Sequence, residues 1–471
     1  MRKLAVIIFV LSAVAAFSAN SWTVMVFLNG DNNLESYAVD DFLEISGSEI
    51  DSSVASIVVQ FDRISGYDTR YDNWTTAKIF NVHSKSMAPS SSNASSDLGE
   101  VNMGSPEVLS DFIINSIVSF PADRYALVLW DHGNSWYRSM KALDISIDDT
   151  NGYDSISVGG GELRNALASA FEVTEKVLDI MLIDACLSQT LTLSGEVQGY
   201  VSYVLASEDF VPGEGLDYTE FLNHIFSSSG AIGAESLGTA AVTDYWTDYM
   251  LGPDNTFSLL NLSYFTPFMT EFETLTQQFI AMSSYGYRKF VIETLESFVF
   301  DGYEKNADLG GFLEEVSTGG DYTGTTAELA GAALEAYGNM VVSASGHLKD
   351  YYASGGDATG VTIYFGNDTS YSASRLSTLY SWDDFLFSEA EKNPYAFFPN
   401  PSGEEYVYLG GLLNGDILSI YTIDGELLYF NDRITDLVEK IDIKDYPSGV
   451  YVALIVSPEN GIVHRKFAKV R

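Results

Sequence analysis

The sequence predicts an α/β fold: a mostly parallel sheet sandwiched by helices, then a helix-rich second part and a small C-terminal all-β sandwich. Three observations predict it. Apolar strand-like runs alternate with helix-like segments over residues 20–225, the pattern of parallel strands covered on both faces. Residues 226–390 shift to longer helical periodicity, and residues 403–471 break into short β runs at Asn-Gly, Asp-Gly and Ser-Gly turns. No period expected of a solenoid or propeller is present.

Each element has its own signal. "WTVMVFLNGDNNLE" (22–35) reads as a buried strand, a polar turn and an acidic helix start, and "ASIVVQFDR" (55–63) repeats the strand-then-polar pattern. "YALVLWDHGNSW" (125–136) and "VLDIMLIDAC" (177–186) are further strands of the same kind. Between them, "SPEVLSDFIINSIVSF" (105–120) is a helix with Pro106 in its first turn, and "GGGELRNALASAF" (159–171) is a second. In the second part, "FTPFMTEFETLTQQFIAM" (265–282) and "TTAELAGAALEAYGNMVV" (325–342) have helical spacing. Thr325 and Glu328 there are placed as a capping box, and "GVTIYF" (360–365) is the one strand-like run. Pro394, Pro399 and Pro401 mark residues 391–402 as a stiff linker.

Composition excludes some partners. With 65 Asp plus Glu against 24 Lys plus Arg, the formal charge of -41 repels nucleic acid and anionic membranes and attracts cationic substrates and divalent cations. Residues 1–19 begin with Arg2 and Lys3, run apolar from Leu4 and end in small residues, which predicts a signal peptide and a secreted or cell-surface protein. No later stretch is long and apolar enough for a membrane span. A secreted chain with a single cysteine, Cys186, cannot make an internal disulfide.

A lone cysteine after an apolar strand is, by itself, more often packing than chemistry. Export argues against an idle thiol. So does its place at a strand's carboxyl end, where such sheets carry their functional residues. Of the five histidines only His132 follows a fully apolar strand, and it lies 54 residues before Cys186. Gly133 beside it leaves room for close backbone approach, with its N–H free for a developing oxyanion.

Six ordered blocks, "WTVMVFLNGDNNLE", "LGEVNMGSPEVLSDFI", "PADRYALVLWDHG", "ISIDDTNGYDSISVGGGELRNAL", "LIDACL" and "VLASEDFVPGEGLDY", resemble the clostripain family of cysteine endopeptidases, relatives of caspases, gingipains and legumains. The caspases too place the histidine about 50 residues before the cysteine. The resemblance covers residues 22–218, with weaker echoes to about 365. It implies a caspase-like sheet, a catalytic domain over 20–225 continued by 226–390, and cleavage after Arg or Lys. Cys186 matches the nucleophile and His132 the histidine of the dyad. The N–H groups of Gly133 and Cys186 would form the oxyanion hole, and Asp184 would line the S1 pocket. Glu208, Asp209 and Glu214 would add negative potential there. Autocleavage between the two strands is a further family habit, with Arg138, Lys141, Arg164 and Lys176 as basic positions. The alternative is a catalytically inactive caspase-fold binding protein or adhesin.

The chemistry of such a dyad needs no cofactor. Some members of the family respond to calcium, and Asp148, Asp149, Asn151 and Asp154 form a short acidic turn rich in oxygen ligands, though not an EF-hand. A zinc site lacks any ligand spacing. The tail, "FFPNPSGEE" through "IYTIDG" and "SGVY", resembles the sorting domain of the type IX secretion system, which implies export machinery as a partner and passage across an outer membrane.

Overall fold

The computed structural model describes residues 20–133, 144–249, 256–282, 285–299, 305–322, 324–346, 358–366, 369–387, 395–398, 405–410, 412, 414–423, 425–434, 438–458 and 461–470. The expected signal peptide, most of the proline-rich linker and the basic positions Arg138 and Lys141 lie outside the described residues.

The strands in chain order are β1 (Asn20–Gly30), β2 (Ala55–Arg63), β3 (Ala77–Val82), β4 (Ser96–Gly99), β5 (Ala122–Trp130), β6 (Asp144–Asp148), β7 (Asp154–Ser157), β8 (Leu178–Asp184), β9 (Val201–Ala206), β10 (Thr256–Asn261), β11 (Asn306–Asp308), β12 (Val341–Gly346) and β13 (Thr362–Tyr364). Nine of them form one sheet in the order β12-β10-β9-β8-β5-β1-β2-β3-β4. Its centre, β2-β1-β5-β8-β9, is parallel, and both flanks are antiparallel. From β1 the chain first adds β2 on one side and then β5 on the other. The order therefore reverses between β1 and β5, where doubly wound sheets open a crevice at their carboxyl ends.

Helices cover both faces because the central strands are apolar on both. They are α1 (Glu35–Gly47), α2 (Pro106–Ser119), α3 (Glu162–Thr174), α4 (Leu191–Val197), α5 (Tyr218–Ser227), α6 (Ala234–Tyr249), α7 (Phe265–Met282), α8 (Tyr285–Glu296), α9 (Leu309–Thr318) and α10 (Thr325–Met340). Along β1, Val24, Val26 and Leu28 face a core shared with α1, α5 and α6, while Met25 and Phe27 face a core shared with α2, α3 and α7. That alternation is the two-residue period of a strand buried on both sides. α2 starts as its sequence predicts, with Pro106 in the first turn and the Ser105 hydroxyl accepting from the amides of Glu107 and Val108.

The second part does more than add helices. β10 pairs with β9, and β12 with β10, so residues beyond 225 complete the sheet that begins at Asn20. Two details depart from the sequence reading. α10 ends at Met340, so Val341 and Val342 belong to β12, and the helix is preceded by Gly324 with no side-chain cap, so the capping box at Thr325 and Glu328 does not form.

The C-terminal strands are β14 (Ala396–Phe398), β15 (Tyr406–Gly410), β16 (Ile417–Thr422), β17 (Leu427–Asn431), β18 (Val438–Asp442), β19 (Gly449–Ser457) and β20 (Gly461–Lys469). They form a three-stranded sheet (β14-β15-β18) and a four-stranded one (β17-β16-β19-β20), all antiparallel, sharing a core that includes Val407, Ile420, Ile441 and Phe467. Tyr395 and Phe397 are buried in that core, so the module starts inside the stretch expected to be linker.

Candidate active site

β5 and β8 are parallel neighbours with Trp130 opposite Asp184, so the residues that follow them emerge side by side. The amide of Asp131 donates to the Asp184 carbonyl at 3.3 Å. Beyond it, Gly133 lies so close to the cysteine turn that a Cβ there would stand 2.3 Å from the Cys186 carbonyl oxygen and 3.0 Å from its nitrogen. The His-Gly and Ala-Cys pairs are thus in backbone contact. The turn is sharp: Leu187, next after the cysteine, has φ of 59°, and its amide donates to the Asp209 carbonyl at 3.0 Å. A non-glycine residue in this left-handed region is a strained feature that surrounding structure must hold.

Cys186 is half-buried. The Val211 amide points at its sulfur from 3.3 Å, and the Sγ stands 3.9 Å from the Val211 carbonyl oxygen. Burial, first, and the negative charges of Asp184 and Asp209 push its thiol above the ordinary range, against the pull of the Val211 amide. His132 is half-buried, and its ring Nε2 donates to Asn33 Oδ1 at 2.9 Å. In the neutral ring that leaves Nδ1 as the proton acceptor. Burial lowers the His132 pKa, opposed by the charge of Asp149. Both groups therefore favour their uncharged forms at neutral pH.

The histidine loop is held from beneath. The fully buried Asp131 carboxylate accepts from Asn29 at 3.0 Å, from Asn32 at 2.6 Å and from the Ile147 amide. Burial raises its pKa well above the usual carboxylate range.

Asp184 ends β8 and is 5% exposed. Its Oδ2 accepts from the Tyr218 hydroxyl at 2.8 Å and from the Leu216 amide at 3.2 Å. Gly215, at φ of +61°, passes so near that a Cβ would meet Oδ2 at 2.6 Å. Behind the carboxylate lie two more acids: Asp41, which accepts from the Trp130 indole at 2.6 Å, and Glu44, which accepts from the Tyr218 amide at 3.1 Å. Burial, then the charges of Asp217 and Asp184, push Glu44 up to about 7.

Of the other residues expected at S1, Glu214 is exposed on the loop that crosses Asp184. Glu208 is not at that opening. It is fully buried, its Oε2 accepts from the Gly360 amide at 3.0 Å, and burial together with the charge of Asp308 raises its pKa well above normal. It follows β9, and the register that buries Ala206 and Ser207 turns it inward as well. Asp209 is 5% exposed, with its Oδ1 turned back onto the Phe210 amide.

Of the four residues expected to bind a metal, Asp148 meets Asn151 and pairs in register with Asp154, but the acids among them do not gather into one cluster among the described residues. Asp154 accepts from Asn102 at 2.6 Å, Asp149 lies beside His132, and Asn151 donates to Asp148 and to Glu100. Only Asp148 enters a carboxylate cluster, and its companions there are Asp31 and Glu100. Sequence reasoning missed Asn33, Tyr218, Asp31 and Glu100. Asn33 and Asp31 are in the "GDNNLE" turn after β1, and only the adjacency of β1 and β5 makes their role readable. Arg164 ion-pairs with the buried Glu196 at 3.2 Å, and the Lys176 ammonium lies over the Tyr125 ring.

A strand-end cysteine whose backbone meets the glycine after a strand-end histidine, on a mostly parallel sheet, defines a scaffold of the cysteine-peptidase class. The chain belongs to the clostripain family, whose sequence profile matches residues 26–393. Clostripain from Hathewaya histolytica is 26% identical over 239 residues, a match covering 46% of this chain and 44% of that protein, so the aligned part spans under half the relative's length. Among solved structures, a secreted C11 cysteine protease from Bacteroides thetaiotaomicron in complex with an irreversible peptide inhibitor superposes with a TM-score of 0.57 at 18% identity, covering 78% of this chain and 99% of that one. An inactive zymogen C11 protease from Parabacteroides distasonis gives 0.54 at 16% identity over the same shares. At these identities the structural likeness speaks for the fold. Among the described residues no helix is long and apolar enough to cross a membrane.

Proposed function

We propose that this chain is a secreted cysteine endopeptidase that cleaves after Arg or Lys through a Cys186/His132 dyad. The observation that carries the reading is the contact of Gly133 with the Cys186 backbone, two residues after a buried carboxylate. The Cys186 Sγ–H passes its proton to His132 Nδ1 as sulfur attacks the scissile carbonyl carbon. The backbone N–H groups of Gly133 and Cys186 receive the resulting oxyanion. On collapse the C–N bond breaks, the imidazolium gives its proton to the leaving amine, and a thioester remains. Water, deprotonated by the same imidazole, then cleaves the thioester and restores the thiol. Proton transfer by a positioned group contributes about 10²–10⁴-fold.

Asp184 would receive the substrate's guanidinium or ammonium, with Glu214 adding charge at the rim. The C-terminal sandwich would serve as a type IX sorting domain, and family habit makes calcium a candidate effector. Fluorogenic peptides carrying Arg, Lys, Ala or Asp before the scissile bond test the reading against Cys186→Ala. Cleavage after Arg and Lys alone, lost in the variant, supports it. No cleavage under any condition, including after limited proteolysis, would leave the binding-scaffold reading in its place.

A further inference from the structure

We propose that Glu208 is a positioning residue for the cysteine turn: as a neutral acid it donates its proton to the Asp308 carboxylate and ties the segment beside Cys186 to the start of α9. The inference rests on the proposed dyad. Residues 207–211 run along the turn that carries the thiol. The Ser207 carbonyl accepts from the Gln189 amide at 2.8 Å, the Asp209 carbonyl from the Leu187 amide at 3.0 Å, and the Val211 amide points at the Cys186 sulfur from 3.3 Å. Glu208 lies between the two accepting carbonyls, so whatever holds its side chain also holds the ladder that brackets the nucleophile.

That side chain meets Asp308, which ends β11 and caps α9; the two residues are 2% and 1% exposed. Asp308 has the partners of an ionised carboxylate. Its Oδ1 accepts from the Gly311 amide at 2.6 Å and its Oδ2 from the Thr359 amide at 2.8 Å, while the Thr359 hydroxyl reaches both oxygens. A helix N-terminus favours negative charge as well. Glu208 is supplied differently: Oε2 accepts from the Gly360 amide at 3.0 Å, and no donor among the described residues reaches the buried Oε1.

The two carboxyl groups are nonetheless in hydrogen-bonding contact, which only a proton between them allows. Both oxygens of Asp308 already accept from other donors, so the proton belongs on Glu208. The titratable groups around Glu208 are Asp308, Asp209 on its own loop and Tyr337 of α10, and none brings positive charge. A buried acid with no cation to pair with is held neutral and becomes a donor. The bond joins the thiol's neighbourhood to residues more than a hundred positions downstream.

The first test melts the full chain carrying Cys186→Ala, with and without Glu208→Gln, from pH 5 to pH 9. A folded Glu208 that keeps its proton above the ordinary 4.5 binds more protons than the unfolded chain, so the parent loses stability as pH rises. Glutamine donates and accepts at the same places with no proton to lose. The Tm of Glu208→Gln should therefore pull ahead of its parent as pH rises; a gap that stays constant would mean an ionised Glu208 and overturn the proposal. The second test restores Cys186. Glu208→Gln should keep the parent's rates of peptide cleavage and of iodoacetamide alkylation, whereas Glu208→Leu, which has no polar atom to offer, should lose about 10-fold in kcat/KM and alkylate at a different rate. Equal losses in the two variants, or a Glu208→Leu chain that behaves as the parent, would also overturn it. If Glu208→Leu fails to fold, the melting comparison still decides. A parent that cleaves no peptide would count against the dyad, and melting and alkylation would still read Glu208.

Discussion

The phenolic hydroxyl of Tyr218 donates to Asp184 Oδ2 across 2.8 Å, and both side chains are fully buried together at the end of β8. The bond fixes which way the carboxylate faces, and Gly215 leaves the room that a Cβ there would take from the same oxygen. Tyr218 is therefore a positioning residue for the proposed S1 acid. Tyr218→Phe should cost about 1–2 kcal/mol, roughly 10-fold in kcat/KM, on Arg and Lys peptides. The loss should appear mainly in KM, and inhibition by a small alkylating agent at Cys186 should not change. Equal losses in alkylation and cleavage would mean that Tyr218 merely supports the fold.

Gly133→Ala should be among the most damaging single changes near the site. Its new Cβ would meet the Cys186 carbonyl oxygen at 2.3 Å, and that neighbour is backbone with no side chain to swing away. Overpacking of this kind costs about 1–3 kcal/mol. Melting temperature should fall by several degrees and cleavage should be lost, while Gly331→Ala, in helix α10 with open space around its Cβ, should keep most of its activity.

The pH profile should reflect a neutral pair. Burial keeps the His132 imidazole neutral to lower pH than its ordinary 6.5, and keeps the Cys186 thiol protonated to higher pH than usual. The acid limb of kcat/KM should thus lie below pH 6.5. Alkylation of Cys186 by iodoacetamide should keep accelerating above the ordinary thiol pKa of about 8.5. An alkylation rate already flat at pH 7 would indicate a resting thiolate and contradict this electrostatic picture.

Glu44 links stability to pH. Its folded carboxyl holds a proton up to about 7, above its ordinary 4.5, so between those values the folded state binds more protons than the unfolded chain. Stability should consequently fall as pH rises from about 4.5 through 7 and then level off. Glu44→Gln should flatten that part of the curve. Partial exposure screens the effect, so the comparison to make is the difference in Tm between the two proteins at pH 5 and pH 8.

Much of this was legible in the chain. The parallel centre of the sheet followed from apolar strands punctuated by polar turns, and β2 occupies the run "ASIVVQFDR" residue for residue. His132 and Cys186 could be paired because each ends such a strand. What remained hidden depends on contacts between distant segments. β10 and β12 are short runs inside a helical stretch, and only the pairing of β10 with β9 and of β12 with β10 reveals them as sheet. Glu208 and Glu214 look alike on paper, as acids of one loop, yet the inward turn after β9 buries the first while the second reaches water. The carboxylates around Asp148 come from four separate segments, so no local spacing could assemble them, and the acidic turn itself contributes one.

Three residues after the cysteine, Gln189 is tied to parts of the chain far downstream. Its carbonyl accepts from the Thr362 amide at 3.0 Å, and its side-chain amide donates to the Ser258 carbonyl at 3.0 Å. A growing polypeptide thus carries its thiol out of the ribosome more than a hundred and seventy residues before the last of these ties can form. Closing so long a loop is also slow relative to local folding. The order of synthesis thereby acts as a delay: the turn that carries Cys186 is not locked until the chain has been made as far as Thr362.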